Sequence, residues 1–354
     1  MSAAIPSPVR VVDHRIGPGE TPFVIAEVSG NHNGSLERAL EIIDAVADSG
    51  APAVKFQTYT ADTITIDAPG PQFRIRSEHG LWGGRTLHDL YEEAHTPWEW
   101  HAPMFERARE RGLVAFSSPF DPTAVELLES LDCPVYKIAS AELVDLPLIR
   151  EVASTGKPMI LSSGMATLGE IDAALTAARD GGCTELVLLA CTASYPADPA
   201  DARLMSVPTL AAAFGVPVGL SDHTAGIGVA VAAVALGAVA VEKHVTLRRA
   251  DGGVDADFSL QPEELAALVR ETAAARLAVQ PPRFGPTEAE RDTLALRRSL
   301  YVVADVSAGD LVTPENVRSI RPSGGLPSDA ISAVVGRRFA RDVERGTPLT
   351  WDLV

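Results

Sequence analysis

Short runs of β-branched and apolar residues alternate along most of the chain with longer segments of helical periodicity. Each run has the length of a buried strand, and helix-start signals such as Ser35 and Asp121-Pro122 lie between the runs. Eight such runs lie near residues 23–28, 53–57, 113–118, 135–139, 158–162, 186–191, 216–221 and 238–244. Eight strands with intervening helices over about 260 residues predict a (β/α)8 barrel. A doubly wound open sheet is the alternative, but no G-x-G-x-x-G sequence follows the first run.

Capping signals refine the predicted helix boundaries. Thr96 with Glu99, and Thr167 with Glu170, have the spacing of capping boxes and predict helices that begin at these positions. The connection from Thr58 to about Pro97 is unusually long and contains Gly-Pro and Gly-Gly breaks together with aromatic residues. Connections of this length inside a compact domain are usually functional, so we expect it to cover the mouth of the barrel.

The character of the chain changes after Gln280-Pro281-Pro282. Residues 294–354 carry eight arginines and seven acidic residues, a net charge of +1, whereas the remainder carries 22 basic and 40 acidic groups, or −18. Asp305-Val306-x-x-Gly309-x-x-x-Thr313 recurs 37 residues later, starting at Asp342, which predicts a small β-rich unit with a pseudo-twofold. The predicted organisation is a barrel domain over 1–283, a linker over 284–293 and a tail domain over 294–354.

Composition and charge narrow the class of protein. Of the 354 residues, 46% are hydrophobic and 22% are charged, which excludes intrinsic disorder, and the formal charge of −17 disfavours nucleic acid and anionic membranes as partners. Three cysteines without a C-x-x-C pair, and an N-terminus without an apolar core, predict a reduced, cytoplasmic protein without a signal peptide. The longest run of small apolar residues, 226–241, is too short for a membrane span.

Lysine is rare in this chain: only four of the 30 basic residues are lysines, and two of them, Lys55 and Lys137, lie in predicted barrel strands. A buried ammonium group is costly unless it meets a negative group, and its compact charge suits a phosphate or a carboxylate. A structural ion pair is the alternative for either lysine alone. Lys157, at a strand start, is expected on the surface, and Lys243 is expected to face the helices because side chains alternate along a strand.

Polar residues collect where the predicted strands end, which is the edge where barrel enzymes place their chemistry. His223 and His244 belong to two neighbouring strand ends. Two imidazoles with room for substrate oxygens are typical of an open site for Mn²⁺, Fe²⁺ or Zn²⁺, with a structural or general-base role as the alternative. The other polar residues at or just after these ends include Glu27, Gln57, Ser117, Ser118, Ser140, Glu142, Ser162, Tyr195 and Ser221.

Several segments together resemble the sialic acid synthase family, in order and over nearly the whole chain. The tail resembles the antifreeze-like (SAF) domain of that family, with Arg321-Pro322 and turns at Gly336 and Gly346. The barrel segments that carry the resemblance are Ile25-Ala26-Glu27, Asn31-His32-Asn33-Gly34, Lys55-Phe56-Gln57-Thr58, Ser117-Ser118-Pro119-Phe120, Tyr136-Lys137-Ile138-Ala139-Ser140, Ser162-Ser163-Gly164-Met165, Gly219-Leu220-Ser221-Asp222-His223-Thr224 and Glu242-Lys243-His244.

Residues 81–87, 91–100 and 249–255 resemble the branch of the family that makes pseudaminic acid from a 2,4-diacetamido-2,4,6-trideoxy sugar. The N-acetylneuraminate branch tends to have Asn two residues before the tyrosine that follows strand six, whereas this chain has Ala193, which agrees with a more apolar sugar. The resemblance implies that phosphoenolpyruvate condenses with the open-chain aldehyde of the sugar, and that phosphate leaves by C–O cleavage. A neuraminic or legionaminic acid synthase and a non-catalytic carbohydrate-binding protein are the alternatives.

The resemblance also implies roles for individual residues. Lys55 and Lys137, with Ser140, Ser162 and Ser221, would hold the phosphate and carboxylate of phosphoenolpyruvate, and Ser118 belongs to the same substrate-binding set. His223 and His244 would hold a divalent metal ion, Mn²⁺, Mg²⁺ or Co²⁺. Glu142 would orient or deprotonate the attacking water, which makes it catalytic together with Glu27 and the two lysines. The sugar would be positioned by Glu27, Gln57, Tyr195, Asp255 and, from the tail of the other subunit in a domain-swapped homodimer, Arg321.

Overall fold

The first of two compact units is a closed barrel of eight parallel strands. The computed structural model describes residues 6–76 and 80–354, so residues 77–79 of the long connection lie outside the described part. An antiparallel hairpin, β1 (Val9–Val11) and β2 (His14–Ile16), precedes the barrel. The barrel strands are β3 (Phe23–Glu27), β4 (Ala53–Thr58), β5 (Val114–Pro119), β6 (Tyr136–Ile138), β7 (Met159–Ser162), β8 (Leu186–Cys191), β9 (Val218–Ser221) and β10 (Ala240–His244).

These strands pair in chain order, and β10 closes the barrel against β3. The prediction of a (β/α)8 barrel is therefore confirmed, and all eight predicted runs coincide with strands. The helices of this unit are α1 (Leu36–Asp48), α2 (Ala61–Ile64), α3 (Leu87–Ala94), α4 (Trp98–Glu110), α5 (Pro122–Ser130), α6 (Leu146–Ser154), α7 (Leu168–Asp180), α8 (Ser206–Phe214), α9 (Gly228–Ala235) and α10 (Pro262–Ala278).

The strands are short apolar runs because both of their faces are covered. All five residues of β3 and all six of β5 are buried, as expected for a parallel sheet that packs side chains inside the barrel and helices outside it. The register sets Glu27 beside Lys55 on one side and beside His244 on the other. Parallel pairing thus brings polar strand ends that are distant in sequence to a single level at the mouth.

The outer helices pack through one apolar stripe each. In α1 this stripe consists of Ala39, Ile42, Ile43 and Val46, the i, i+3, i+4, i+7 spacing of one helix face, and all four side chains are fully buried. The Ser35 side chain accepts a hydrogen bond from the backbone N–H of Arg38 and caps the helix. The capping box predicted at Thr167 is likewise confirmed. The backbone N–H of Thr167 donates to the Glu170 carboxylate, and the backbone N–H of Glu170 donates to the Thr167 hydroxyl.

The capping box predicted at Thr96 is wrong. The helix α4 begins at Trp98 and its N-cap is Pro97, whose side chain has no oxygen to accept a hydrogen bond. Pro97 has φ −52 and ψ 136, so its own backbone is extended and it does not form the first helical residue, and the helix starts one residue later than the sequence spacing indicates. Within the described residues, no helix combines the length and apolar character that a membrane span requires.

The second compact unit spans Pro281–Val354. It contains β11 (Ser299–Val302), which pairs antiparallel with β12 (Val317–Ile320), and a short helix, α11 (Ile331–Val334). Its core is separate from that of the barrel and consists of Leu300, Val302, Val306, Val312, Val317, Val334, Phe339, Val343, Leu349 and Leu353.

The two copies of the tail repeat face each other. Val306 and Val343 exchange backbone hydrogen bonds as an antiparallel bridge. A carboxylate oxygen of Asp342 accepts from the backbone N–H of Ala308 at 2.8 Å, and Asp305 accepts in the same way from Arg345 at 2.8 Å. The repeated aspartate therefore holds the turn of the other copy, which is the pseudo-twofold that the repeat predicts.

Candidate active site

A cavity of about 400 Å³ opens at the C-terminal end of the barrel strands, a volume typical of small-molecule sites. Its lining divides into two chemical groups. Polar side chains come mainly from the strand ends and the loops that follow them, and include Gln57, Ser140, Glu142, His244 and Asp255. Apolar and aromatic side chains come mainly from the connection between β4 and α4, and include Tyr59, Ile64, Ile75, Trp82, Leu87 and Leu90.

A cluster of four buried charged groups lies at the strand ends. Lys55 Nζ is 2.5 Å from Glu27 Oε2 and 3.8 Å from Glu242 Oε1, and Lys137 Nζ is also 3.8 Å from Glu242 Oε1. The Ser221 hydroxyl donates to Glu242 Oε1 at 3.2 Å. All four charged side chains are at least 94% buried, so each depends on the others because an unpaired buried charge costs several kcal/mol.

The four groups differ in how far their neighbours offset the effect of burial on their pKa values. Burial would lower the pKa of Lys55, but the attraction of Glu242 and Glu27 outweighs it and raises that pKa. Burial lowers the pKa of Lys137, with the attraction of Glu242 acting against it. Burial raises the pKa of Glu27 to about 7, whereas Lys137 and Lys55 outweigh burial at Glu242 and lower its pKa. Lys137 is therefore the cation that an additional negative group would stabilise most.

Unused hydrogen-bonding capacity surrounds the two lysines. Lys137 donates to the carbonyl oxygen of Ile138 at 3.2 Å and Lys55 donates to the Ser118 hydroxyl at 3.4 Å, whereas an ammonium group has three donors. The Ser162 hydroxyl is buried and has no hydrogen-bond partner among the described residues. Buried polar groups are normally satisfied, so unpaired donors around a buried cation indicate a binding site for an anion.

The loop after β7 approaches Ser140 closely, which requires glycine at position 164. Gly164 has φ +44, and a Cβ atom there would overlap the side chain of Ser140. The Ser140 hydroxyl donates to Cys191 Sγ at 3.4 Å and lines the cavity. Glycine thus permits the serines of two adjacent loops to lie side by side at the mouth.

His223 and His244 lie next to each other, with ring centroids 5.4 Å apart. His223 Nδ1 is 2.9 Å from the carbonyl oxygen of Thr192, which makes Nδ1 the donor of that bond; burial lowers the pKa of His223, but the hydrogen bond and attraction of Cys191 outweigh it and raise that pKa. His244 Nδ1 is buried without a hydrogen-bond partner and lies 3.9 Å from Asp255 Oδ2. Burial holds the pKa of His244 well below its usual value, so this imidazole is neutral and able to bind a metal ion.

Among the described residues, no group of three or more His, Cys, Asp or Glu side chains has the arrangement of a complete metal site. The orphaned Nδ1 of His244 and Nε2 of His223 are the two nitrogens that would hold a divalent ion whose remaining ligands are not protein side chains.

An ion pair outside the barrel connects the elements that carry the two histidines. Lys243 Nζ lies 3.0 Å from Asp222 Oδ2 and donates to the carbonyl oxygen of Thr224 at 2.5 Å. The other carboxylate oxygen of Asp222 accepts from the backbone N–H of Thr224 at 2.9 Å. Because these residues flank His223 and His244 in sequence, the pair fixes the loop after β9 against β10.

The segment Asn31–Gly34 orders the loop that carries Asp255. Asn31 Nδ2 donates to the carbonyl oxygen of Val245 and to the Ser259 hydroxyl, both at 2.8 Å, and Asn33 Nδ2 donates to the carbonyl oxygen of Gly252 at 3.0 Å. The Ser29 hydroxyl donates directly to Asp255. Asn31 and Asn33 thus fix the loop that carries Asp255, and Asp255 lines the cavity.

The structure brings together most of the residues singled out in the sequence. Tyr195 packs its ring against His223, with centroids 4.4 Å apart, and against Trp82 at 5.3 Å. Arg321 belongs to the tail unit, where it is exposed and lines a separate cavity with Arg297 and Arg298. The predicted residues at the mouth of the barrel are Glu27, Lys55, Gln57, Ser118, Lys137, Ser140, Glu142, Ser162, Tyr195, Ser221, His223, His244 and Asp255.

Sequence reasoning missed part of the site. Glu242 holds the two lysines, and its place on the same strand face as His244 is a signal that could have identified it. Ser29 follows the first strand and contacts Asp255, but a single serine after a strand carries little information. The apolar lining from the long connection was not resolved into residues, since periodicity does not show which side of a loop faces a cavity.

We expect Lys243→Met to lower the free energy of unfolding by about 3 to 5 kcal/mol, because it leaves the Asp222 carboxylate buried without its cation. The double variant Lys243→Met/Asp222→Asn removes both charges and keeps an acceptor for the Thr224 N–H, so it should recover much of the loss. Urea unfolding of the two single variants and the double variant gives the coupling energy. Additive effects would contradict the ion pair.

Comparison with known proteins adds to the geometry. Residues 42–282 match the NeuB family and residues 297–354 match the SAF domain. The chain is 40% identical, over 94% of its length and 98% of the relative, to pseudaminic acid synthase of Helicobacter pylori. It is 35% identical, over 95% of both chains, to N,N'-diacetyllegionaminic acid synthase of Legionella pneumophila.

Solved structures agree with these matches. The crystal structure of N-acetylneuraminic acid synthetase from Leptospira borgpetersenii serovar Hardjo-bovis, in complex with citrate, is similar with a TM-score of 0.73 and 30% identity, covering 82% of this chain and 96% of that chain. Family model, relatives and fold give the same assignment. The chain belongs to the NeuB family, carries a C-terminal SAF domain and is an enzyme of the synthase class of that family.

Proposed function

We propose that the enzyme condenses phosphoenolpyruvate with 2,4-diacetamido-2,4,6-trideoxy-β-L-altropyranose and releases pseudaminic acid and phosphate. The observation that carries the proposal is the buried pair Lys55 and Lys137, with the unpaired Ser162 hydroxyl, beside a cavity edged by Glu142. This arrangement suits a small, strongly anionic substrate below and an uncharged sugar above. The identity to the Helicobacter pylori relative supports the choice of sugar.

The anionic substrate binds at the lysine end of the site in this proposal. Lys137 and Lys55 neutralise the phosphate and the carboxylate, and the hydroxyls of Ser118, Ser140, Ser162 and Ser221 donate hydrogen bonds to their oxygens. Phosphate bound at Lys137 adds a second negative group beside Glu242, which lies 3.8 Å away, so the buried ammonium group gains stability as the substrate enters. The same cations stabilise the negative charge on the departing phosphate.

The sugar occupies the cavity above, with its aldehyde carbon next to the enol carbon C3. Gln57, Tyr195, Asp255 and Glu27 position its hydroxyl groups. The new C–C bond forms from C3 to the aldehyde carbon as the C2–C3 and C=O π bonds break, water adds to C2, and the aldehyde oxygen becomes a hydroxyl group with a proton equivalent to the one that the water gives up. Glu142 accepts the proton of that water, for which burial has raised its pKa in the useful direction. Phosphate then leaves with cleavage of the C2–O bond.

His223 and His244 hold a divalent metal ion in this proposal, Mn²⁺, Mg²⁺ or Co²⁺. When bound, the ion supplies Lewis-acid polarisation of the aldehyde oxygen. The chain's own contribution is the neutral state of the His244 imidazole, the Nδ1–H bond that orients His223, and the Lys243–Asp222 pair behind both.

We also propose that the enzyme acts in the cytoplasm, in keeping with its three free cysteines.

The test is phosphate release from phosphoenolpyruvate, measured with each sugar and each metal ion. We expect release with the trideoxy altrose derivative, dependence on added Mn²⁺, Mg²⁺ or Co²⁺, and loss of activity in chelator. Greater activity with N-acetylmannosamine or with the precursor of legionaminic acid would reassign the sugar and keep the class. No release with any sugar in any metal would overturn the proposal in favour of a non-catalytic carbohydrate-binding protein.

The two ends of the barrel offer a matched pair of lysine variants. Lys137→Met should lower kcat/KM for phosphoenolpyruvate by tenfold to about a hundredfold, because a hydrogen bond to a charged group contributes about 1.5 to 3 kcal/mol. Lys157, whose Nζ lies 2.6 Å from Glu129 in a half-exposed pair at a strand start, is the control. Lys157→Met should leave kcat/KM unchanged. Equal effects of the two substitutions would exclude Lys137 from the anion site.

Arg321 completes the sugar site of the partner subunit in our proposal, so the active form is a domain-swapped homodimer. We expect Arg321→Ala and Glu142→Gln to be nearly inactive alone. Unfolding and refolding the two together should restore about a quarter of the wild-type activity, because half of the dimers are mixed and each mixed dimer holds one intact site. No recovery in refolded mixtures that contain mixed dimers would place Arg321 outside the partner's site.

A further inference from the structure

One side of the cavity is a continuous apolar wall built by the connection between β4 and α4. Tyr59 stands just past β4, Ile64 ends α2, and Leu87 and Leu90 lie on the cavity side of α3. Phe120, which follows β5, extends the wall. These five residues together form the apolar wall. None of them carries a charge, and four of the five have purely hydrocarbon side chains.

The wall is a rigid part of the fold. The Tyr59 ring packs edge-on against the Phe120 ring, with centroids 5.1 Å apart, and against the Tyr91 ring at 5.7 Å. Tyr59 and Leu90 are 3% and 6% exposed. The Thr86 side chain caps α3 by accepting from the backbone N–H of Asp89 at 3.0 Å. A ligand group that enters this side of the cavity therefore meets a packed surface.

The wall and the polar groups that surround the reacting atoms come from different parts of the chain. The lysines, serines and histidines belong to the strand ends and their loops, whereas four of the five wall residues belong to the connection between β4 and α4. Because the aldehyde carbon of the sugar must meet phosphoenolpyruvate near the lysines, the sugar enters with that end toward the strand ends. Its far end, around C5 and C6, then faces the wall.

We propose that the apolar wall selects sugars that end in a methyl group at C6 over those that end in a hydroxymethyl group. The proposal rests on the proposed function and adds the residues that determine its substrate preference. A hydroxyl group pressed against hydrocarbon side chains loses its water and gains no hydrogen bond. A change of one group in an apolar pocket alters kcat/KM by about tenfold to a hundredfold, and we expect a preference of this size.

The experiment measures kcat/KM for two sugars that differ at one position, the 2,4-diacetamido-2,4,6-trideoxy substrate and its analogue with a hydroxyl group at C6. Leu87→Asn places a hydrogen-bonding amide in the wall at a half-buried position, and Ile64→Thr keeps the branch at Cβ and replaces the ethyl group with a hydroxyl. Each variant should reduce the preference for the 6-deoxy sugar about tenfold. Leu168→Asn is the control, because Leu168 is 59% exposed at the start of α7 and is not part of the cavity lining.

The outcomes separate this inference from the proposed function. If the wild-type enzyme turns over the trideoxy sugar but does not discriminate between the two sugars, the inference is wrong. It is also wrong if both folded wall variants keep the wild-type preference, or if Leu168→Asn changes the preference as much as they do. Turnover of neither sugar by the wild-type enzyme would instead overturn the proposed function, and with it the inference. Circular dichroism spectra confirm that each variant compared is folded.

Discussion

The buried cluster of Glu27, Lys55, Glu242 and Lys137 is the constraint on which the rest of the mouth depends. Two carboxylates and two ammonium groups occupy a region without bulk water, where each would be strongly destabilising alone. They can coexist only if the strands that carry them hold a fixed register. The closed parallel barrel provides that register, since every strand is paired on both sides and none can slip.

The same constraint explains the use of lysine in a chain that otherwise relies on arginine. At Lys55 and Lys137 the compact ammonium group fits between carboxylates inside the barrel, where a guanidinium group would need more space and more acceptors. Lys243 is likewise buried, and its ammonium group contacts the Asp222 carboxylate and the backbone carbonyl of Thr224. Lys157 differs, because its pair with Glu129 is half-exposed. Three of the four lysines are thus buried ion-pair partners.

The sequence predicts the architecture well, but it predicts individual side-chain contacts less well. Strand positions follow from local apolar runs, and the ends of parallel strands must meet, so the gathering of Lys55, Lys137, His223 and His244 at one mouth was predictable. The start of α4 was not, because the fixed φ of proline fits both a first helical residue and an extended residue, and Pro97 is extended in the structure. Local pattern specifies which residues reach the mouth, whereas long-range packing decides which atoms meet there.

The cavity is lined by polar side chains in one part and by apolar side chains in another, and this arrangement bears on the proposed reaction. In the proposed reaction, fixed charges and hydroxyls at the strand ends replace water around the anion, so their orientation need not change as negative charge shifts onto the leaving phosphate. In the same proposal the apolar wall excludes water from the sugar and leaves few places where a water molecule can be held. Glu142 lines the cavity, and its carboxylate oxygen Oε2 is buried without a hydrogen-bond partner among the described residues, so it would be one such place. A carboxylate that binds such a water would also set the carbon that the water attacks.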